Sequence, residues 1–275
     1  MLTIISRILM KLNFLKTFSL LALFALLSFG NTANAANFQI RPGEELEYEV
    51  SFFGVKLGKI KVVTEANSAA NGKNNYRAKV YMDSYSGIPF VDLHAIFDSW
   101  IDPSISYSNK FESTIKLDKD RWQFQKMTFN YDKNEIINEK WVNKVRYETI
   151  KVNTEGKKMC DGGGLFFFAR QFTDLKKSVK VPTIIDRDIN YTYINFHGKR
   201  ETIKTDYMPY PVRTIYFDGK LDWKGVYGLS GKFEGWFSDD EARIPIKAQM
   251  NVYVGSVQIN LIKWRRANWA PPKAS

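Results

Sequence analysis

The chain has 275 residues and a formal charge of +11, is 44% hydrophobic and 15% aromatic, and carries one cysteine and two histidines. That length can bury a sizeable core, while a lone cysteine excludes an internal disulfide and a redox pair. Two histidines and one thiol cannot build the usual zinc site. The charges fall in ones and twos, as on a solvated sheet face, so the basic balance alone names no partner.

Residues 1–35 read as an address label. Arg7, Lys11 and Lys16 precede the apolar run FSLLALFALLSFG, and Ala33-Asn34-Ala35 is a small-x-small peptidase pattern, so cleavage is expected after Ala35. The run falls short of the roughly 20 residues that span a bilayer, and no cysteine follows it for lipid attachment. Met10 opens a more usual signal than Met1, and both stand as candidate starts. Cleavage removes three basic residues and leaves residues 36–275 at +8. Nothing later offers a second span. Export makes nucleic acid the least fitting partner for the basic surface and leaves anionic lipid or glycan.

From residue 45 the pattern has period two. Leu46, Tyr48, Val50 and Phe52 share one face, and NYRAKVYM repeats the pattern with Tyr76, Ala78, Val80 and Met82. In WQFQKMTFNY, Trp122 and Phe124 are followed out of phase by Met127, Phe129 and Tyr131, which predicts a bulge at Gln125-Lys126. With KIKVV, HAIFDSWI, RYETIKV, INYTYINF, KRETIKT, VRTIYFD, GKFEGWFS, RIPIKAQMNV and SVQINLIKW there are about a dozen strands, joined by Asn-, Asp- and Gly-rich turns.

CDGGGLFFFARQFTDLKKS breaks the alternation and predicts a helix capped by Asp161. Leu165, Phe168, Ala169, Phe172 and Leu175 form one stripe. Phe166 and Phe167 lie on a second face with Arg170. A helix apolar on both sides must be covered on both, and a loop is the expected cover for its back. Cys160, just before it, reads as a free buried thiol, since neither His94 nor His197 has a recognisable spacing to it. The seven tryptophans are scattered, and the tail 271–275 is expected to fray.

WFSDDEARIPIKAQM poses the question of chemistry. Between two strands, Asp239, Asp240 and Glu241 read as a turn, with Arg243 and Pro245 as structural residues and Pro245 at a bulge or facing away from the ladder. A calcium loop would need more oxygen ligands at alternating positions. No nucleophile elbow, P-loop or zinc-protease motif occurs, so no catalytic residue, metal or cofactor is expected.

RPGEELEYEVSFFGVKLGKIKV, DGGGLFFFAR and GKFEGWFSDDEARIPIKAQMNVYVGSVQINL together resemble the bacterial exported domain-of-unknown-function 3108 family, over most of residues 38–262. Gly43, Glu44, Leu46, Tyr48, Arg170, Trp236, Ser238, Asp240, Arg243, Pro245 and Gly255 carry the likeness. The resemblance implies a periplasmic protein with no assigned reaction and, by analogy, a half-open barrel like those of lipoprotein carriers. The expected fold is mainly β. It is a strongly curved antiparallel sheet in a single domain over 36–270, with one helix on its concave side, in a monomer.

The expected function is non-catalytic binding of a lipid, acyl chain or lipid-linked glycan, with Phe166, Phe167, Arg170 and Trp236 as lining residues. The rivals are an assembly factor holding an envelope protein and a carboxylate-dependent hydrolase. Arg170, a lone cation among aromatics, is expected to need a carboxylate or several carbonyls. Arg243, beside an exposed turn, is expected to matter little to stability.

Overall fold

The computed structural model describes residues 38, 40–70, 72–88, 92–225, 230–252 and 255–275. The expected leader, its cleavage after Ala35 and both candidate starts lie outside the described residues. The chain forms β1 (Glu45–Phe52), β2 (Val55–Ala70), β3 (Lys73–Ser84), β4 (His94–Ile101), β5 (Ser108–Lys116), β6 (Trp122–Asn130), β7 (Glu135–Val142) and β8 (Val145–Asn153). One α-helix, α1 (Gly162–Gln171), follows. After it come β9 (Ser178–Ile185), β10 (Asp188–Ile203), β11 (Val212–Leu221), β12 (Gly231–Ser238), β13 (Pro245–Asn251) and β14 (Ser256–Arg265).

These fourteen strands make one antiparallel sheet, ordered β8-β7-β6-β5-β4-β3-β2-β1-β14-β13-β12-β11-β10-β9. Its two ends, β8 and β9, are consecutive in the chain and do not pair, so the sheet is an open strip. It must curl. One side of α1 packs on Ala78 of β3 and Ile101 of β4, the other on Val181, Ile194, Phe217 and Phe237 of β9 to β12. Along the strip, β3 and β11 are six strand spacings or roughly 30 Å apart, yet both touch a helix only about 10 Å across.

Side chains bridge the seam between β8 and β9. Lys140, buried on the inner face of β7, pairs with Glu148 of β8 at 3.0 Å and with Asp186 in the β9–β10 turn. Arg187 reaches Glu148 at 2.9 Å, and Asn138 donates to the Asp186 carbonyl at 2.8 Å. Next to α1, the Cys160 segment pairs with β9: Cys160 N–H donates to Pro182 O at 2.9 Å, and Ile184 N–H to Cys160 O at 3.0 Å. Pro182 sits in an edge strand, the position where its missing N–H costs no ladder bond.

Several expectations are corrected. KRETIKT and INYTYINF are one strand, β10, whose register shifts between Phe196 and Lys199. Three strands were not anticipated: β5, β7 and β9. No bulge occurs at Gln125-Lys126, where β6 keeps unbroken register with both neighbours. The phase slip has another cause. Met127 and Phe129 face inward, so Trp122 and Phe124 share the outer face with Lys126. The tail is tied down rather than frayed, since Arg213 N–H donates to Pro272 O at 2.8 Å and Ala274 N–H to Pro211 O at 2.9 Å.

Candidate functional site

Asp161 caps α1 through Oδ1, which accepts from Gly164 N–H at 2.8 Å and from the Ser99 hydroxyl at 2.7 Å. The glycines that follow let the helix press onto β4 and β5. A Cβ on Gly163 would lie 2.2 Å from Ser99 Oγ and 2.8 Å from its Cβ, whereas one on Gly162 would meet nothing within 4 Å. Gly162→Ala should therefore raise stability by up to about 1 kcal/mol through helix propensity. Gly163→Ala should lower it by about 1–3 kcal/mol through overpacking. Urea titrations of the two variants measure both, and equal effects of the same sign would refute the close approach.

The back of α1 is covered in part by the other wing of the same sheet, through Ala78 and Ile101, and in part by irregular segments that carry Phe38, Ile40 and Ile105. Phe167 is buried against Phe38, Ile40, Ala78, Ile101 and Ile105, and Phe166 bridges that cluster to the neighbouring one around Leu46 and Val212. Trp236 points outward from β12, with its indole N–H on Glu201 Oε2 at 2.7 Å, while its neighbour Phe237 faces in. The three aromatic residues expected to line a ligand are therefore packed, and the concave side is filled by the protein's own helix.

Arg170, fully buried, makes a bidentate pair with Glu44 at 2.7 and 3.1 Å. It also donates to the carbonyls of Arg243 at 3.1 Å and Ala242 at 2.9 Å. Glu44 accepts a further bond from Arg266, also buried. Burial pushes the Glu44 carboxyl up, but Arg170 and Arg266 together outweigh it and hold the group below its ordinary value.

Arg243 corrects the expectation of an exposed, dispensable side chain. It is only 4% exposed, donates to Gln171 O at 2.8 Å at the end of α1, and pairs with Asp174. The acidic turn beside it does local work. Asp240 Oδ1 accepts from Ser238 Oγ and from the N–H groups of Ala242 and Arg243, and Oδ2 accepts from Trp269. Asp239 takes Arg200 and Arg213, and Pro245 stands at a register shift between β12 and β13. Cys160 is wholly buried, and burial pushes its thiol far above the ordinary value, so it is not poised as a nucleophile. No group of three or more potential metal ligands occurs among the described residues.

Exposed apolar surface gathers elsewhere. Six large apolar side chains are exposed among the described residues: Phe53, Val55, Leu117, Trp122, Val145 and Tyr147. All lie at or beside the β1–β2, β5–β6 and β7–β8 hairpin turns, which the antiparallel order puts at one end of the sheet. The backbone there is held in left-handed conformations. Phe53 (φ 47°) and Gly54 (φ 80°) form the β1–β2 tip, and Asn143 (φ 45°) and Lys144 (φ 71°) form the β7–β8 tip. Both are two-residue turns of the hairpin-matching hand, yet a phenylalanine and a lysine occupy left-handed positions that Asn or Gly would take with less strain. Between the latter two hairpins, Trp122, Phe124 and Trp141, with Asn143 and Lys144, line an outer groove of about 760 Å³. The rings of Phe124 and Trp141, directly paired across the strands, lie 5.1 Å apart. Only the phase slip in WQFQKMTFNY signalled this groove in the sequence.

A second groove, of about 480 Å³, opens at the opposite end of the sheet, where β1 begins and β14 ends. Arg41, Glu44, Trp264, Arg266 and Trp269 are among its walls. The first groove has no carboxylate, and the only one in the second, Glu44, is committed to arginines.

The family described as a protein of unknown function, DUF3108, matches residues 47–262. No curated protein matches the chain. Among solved structures, the β-barrel-like protein of DUF1849 from Brucella abortus aligns with a TM-score of 0.54 at 9% identity, over 80% of this chain and 96% of that one. At that identity the likeness concerns fold alone. A Bacteroides fragilis protein with a YmcC-like fold aligns at 7% identity over 83% of this chain and 98% of that one, but with a TM-score of 0.33, so nothing rests on it.

Proposed function

The chain belongs to the DUF3108 family, and we propose that it is a non-catalytic protein of the bacterial periplasm that binds apolar or amphipathic envelope lipid. The binding surface is the aromatic groove and the hairpin tips around it. The observation that carries this reading is that the six large apolar side chains exposed among the described residues gather at one end of the sheet. Scattered apolar residues need no explanation, whereas a shared rim marks a contact surface. Indoles beside cations suit a lipid interface, where one end of the contact is wet and the other apolar. Of the cations at the β5–β6 and β7–β8 tips, Lys116, Arg121 and Arg146 pair with Asp92, Asp118 and Glu139. Lys119 and Lys144 against Asp120 leave a small basic surplus that favours anionic lipid.

The test is flotation of residues 36–275 with vesicles of zwitterionic and anionic phospholipid, with native mass spectrometry for single bound lipids. Trp122→Ser combined with Trp141→Ser should weaken vesicle binding about tenfold or more, equivalent to ~1.4 kcal/mol or more. No flotation of the unaltered protein, or equal flotation of the variant, would reject the reading. The free edge of β8 favours a protein partner less, because Arg146, Glu148 and Lys151 put charges along it, a feature that discourages strand addition.

A further inference from the structure

The second groove holds an unbalanced charge. Arg170 and Arg266, both buried, converge on a single carboxylate, Glu44. Arg170 spends its donors on Glu44 and two backbone carbonyls. Arg266 makes one bond, through Nη1 to Glu44, and its Nε and Nη2 find no acceptor among the described residues. Its side chain is 3% exposed, and it lines the groove. Burial lowers Arg266's hold on its proton and Glu44 opposes this, while the positive charges of Arg170 and Arg41 add to the burial effect. The Arg266 Nε and Nη2 are not sealed from solvent, so a second counter-charge can reach them from the groove.

The groove is shaped to supply one. Arg41 stands at its mouth with only a loose pair, 3.3 Å to the exposed Glu241. Trp264 and Trp269 form an apolar wall, their rings 5.6 Å apart and edge to face. The Trp269 N–H is occupied by Asp240, so this wall offers ring surface rather than a donor.

We propose that this groove is a binding site for an oxyanion, carboxylate or phosphate, attached to an apolar chain. Arg266 Nε and Nη2 present two parallel donors to it, the fork that suits such a group. Arg41 adds a second cation from the mouth, and the apolar chain lies along Trp264 and Trp269.

The site is distinct from the aromatic rim, and its test is chosen accordingly. Inorganic phosphate, dodecyl phosphate, dodecanoate and dodecyl glucoside are titrated against the mature chain, following the shift in thermal midpoint and calorimetric heat. Dodecyl phosphate and dodecanoate are expected to bind saturably and the uncharged glucoside not to. Arg41→Ala, at an exposed position, should leave the fold intact and weaken binding about tenfold. Arg266→Lys, which keeps the charge beside Glu44 but loses the fork, should weaken it further. All of these titrations are run in a Trp122→Ser, Trp141→Ser background, which removes any binding by the rim and separates this result from its fate. Inorganic phosphate binding as tightly as dodecyl phosphate would support the oxyanion site and overturn the part given to the indoles. Glucoside binding equal to phosphate, or Arg41→Ala and Arg266→Lys binding like the unaltered protein, would overturn the proposal.

Discussion

Arg170→Met should lower the free energy of unfolding by about 3–5 kcal/mol, the range for breaking a buried ion pair from one side. The methionine leaves the buried Glu44 with only Arg266, and it strips a donor from the carbonyls of Ala242 and Arg243. Combining it with Glu44→Gln should cost less than the sum of the two single changes, since they share one interaction. The effect also has a pH signature. The folded Glu44 carboxyl lies below its ordinary value of 4.5, so its stabilising contribution is complete above that value and is lost as pH falls through the lower, folded one. The gap between variant and parent should narrow in that acid window. Urea titrations at pH 7 and in acid measure both features. A variant as stable as its parent but deficient in ligand would move Arg170 from structure to binding.

Phe167→Ala should cost about 3–5 kcal/mol, comparable to the loss of the ion pair, because it empties the contact between α1 and the β3–β4 wing. The ring is 1% exposed and lies among Phe38, Ile40, Ala78, Ile101 and Ile105, with the Phe166 ring 5.1 Å away and the Arg170 guanidinium 5.3 Å from its centre. The cavity so made also loosens the aromatic packing around a buried charge. Phe166→Ala, at a partly buried position, should cost less. Thermal unfolding of both variants gives the ranking. A fully stable Phe167→Ala protein would mean that α1 is not wedged between the wings.

Alternation made most strands legible wherever the inner face is apolar, as in β1 with Leu46, Tyr48 and Val50. It failed where the inner face is polar. β7 turns Ile136, Asn138 and Lys140 inward and β5 hides Ser113, so neither shows an apolar period. β9 was obscured by Pro182, harmless at an edge. The helix and its Asp161 cap were readable because both signals are local. The partner of Arg170 was not, because Glu44 lies 126 residues away and only the curl of the sheet joins them. Arg243 was misread because its neighbours in sequence are acidic and exposed, while its partners lie at the end of α1. The outer groove was visible only as a disturbance. Trp122 and Phe124 break the phase of the inward residues because they belong to the other face, and a bulge produces the same pattern.

The strand order has a consequence for assembly in time. β1 and β14, the first and last of the described strands, pair at the middle of the strip, while the strands midway between them in sequence lie at its ends. Hairpins β1 to β8 can zip up one after another as the chain emerges, each closing a short loop. The other side of β1 waits for a partner about two hundred residues downstream, so a hydrogen-bonding edge stands open until β14 is made, a template for pairing with another nascent copy. The last strand to arrive is the keystone. Until it docks, the two wings are separate meanders joined only through the segment that carries the helix.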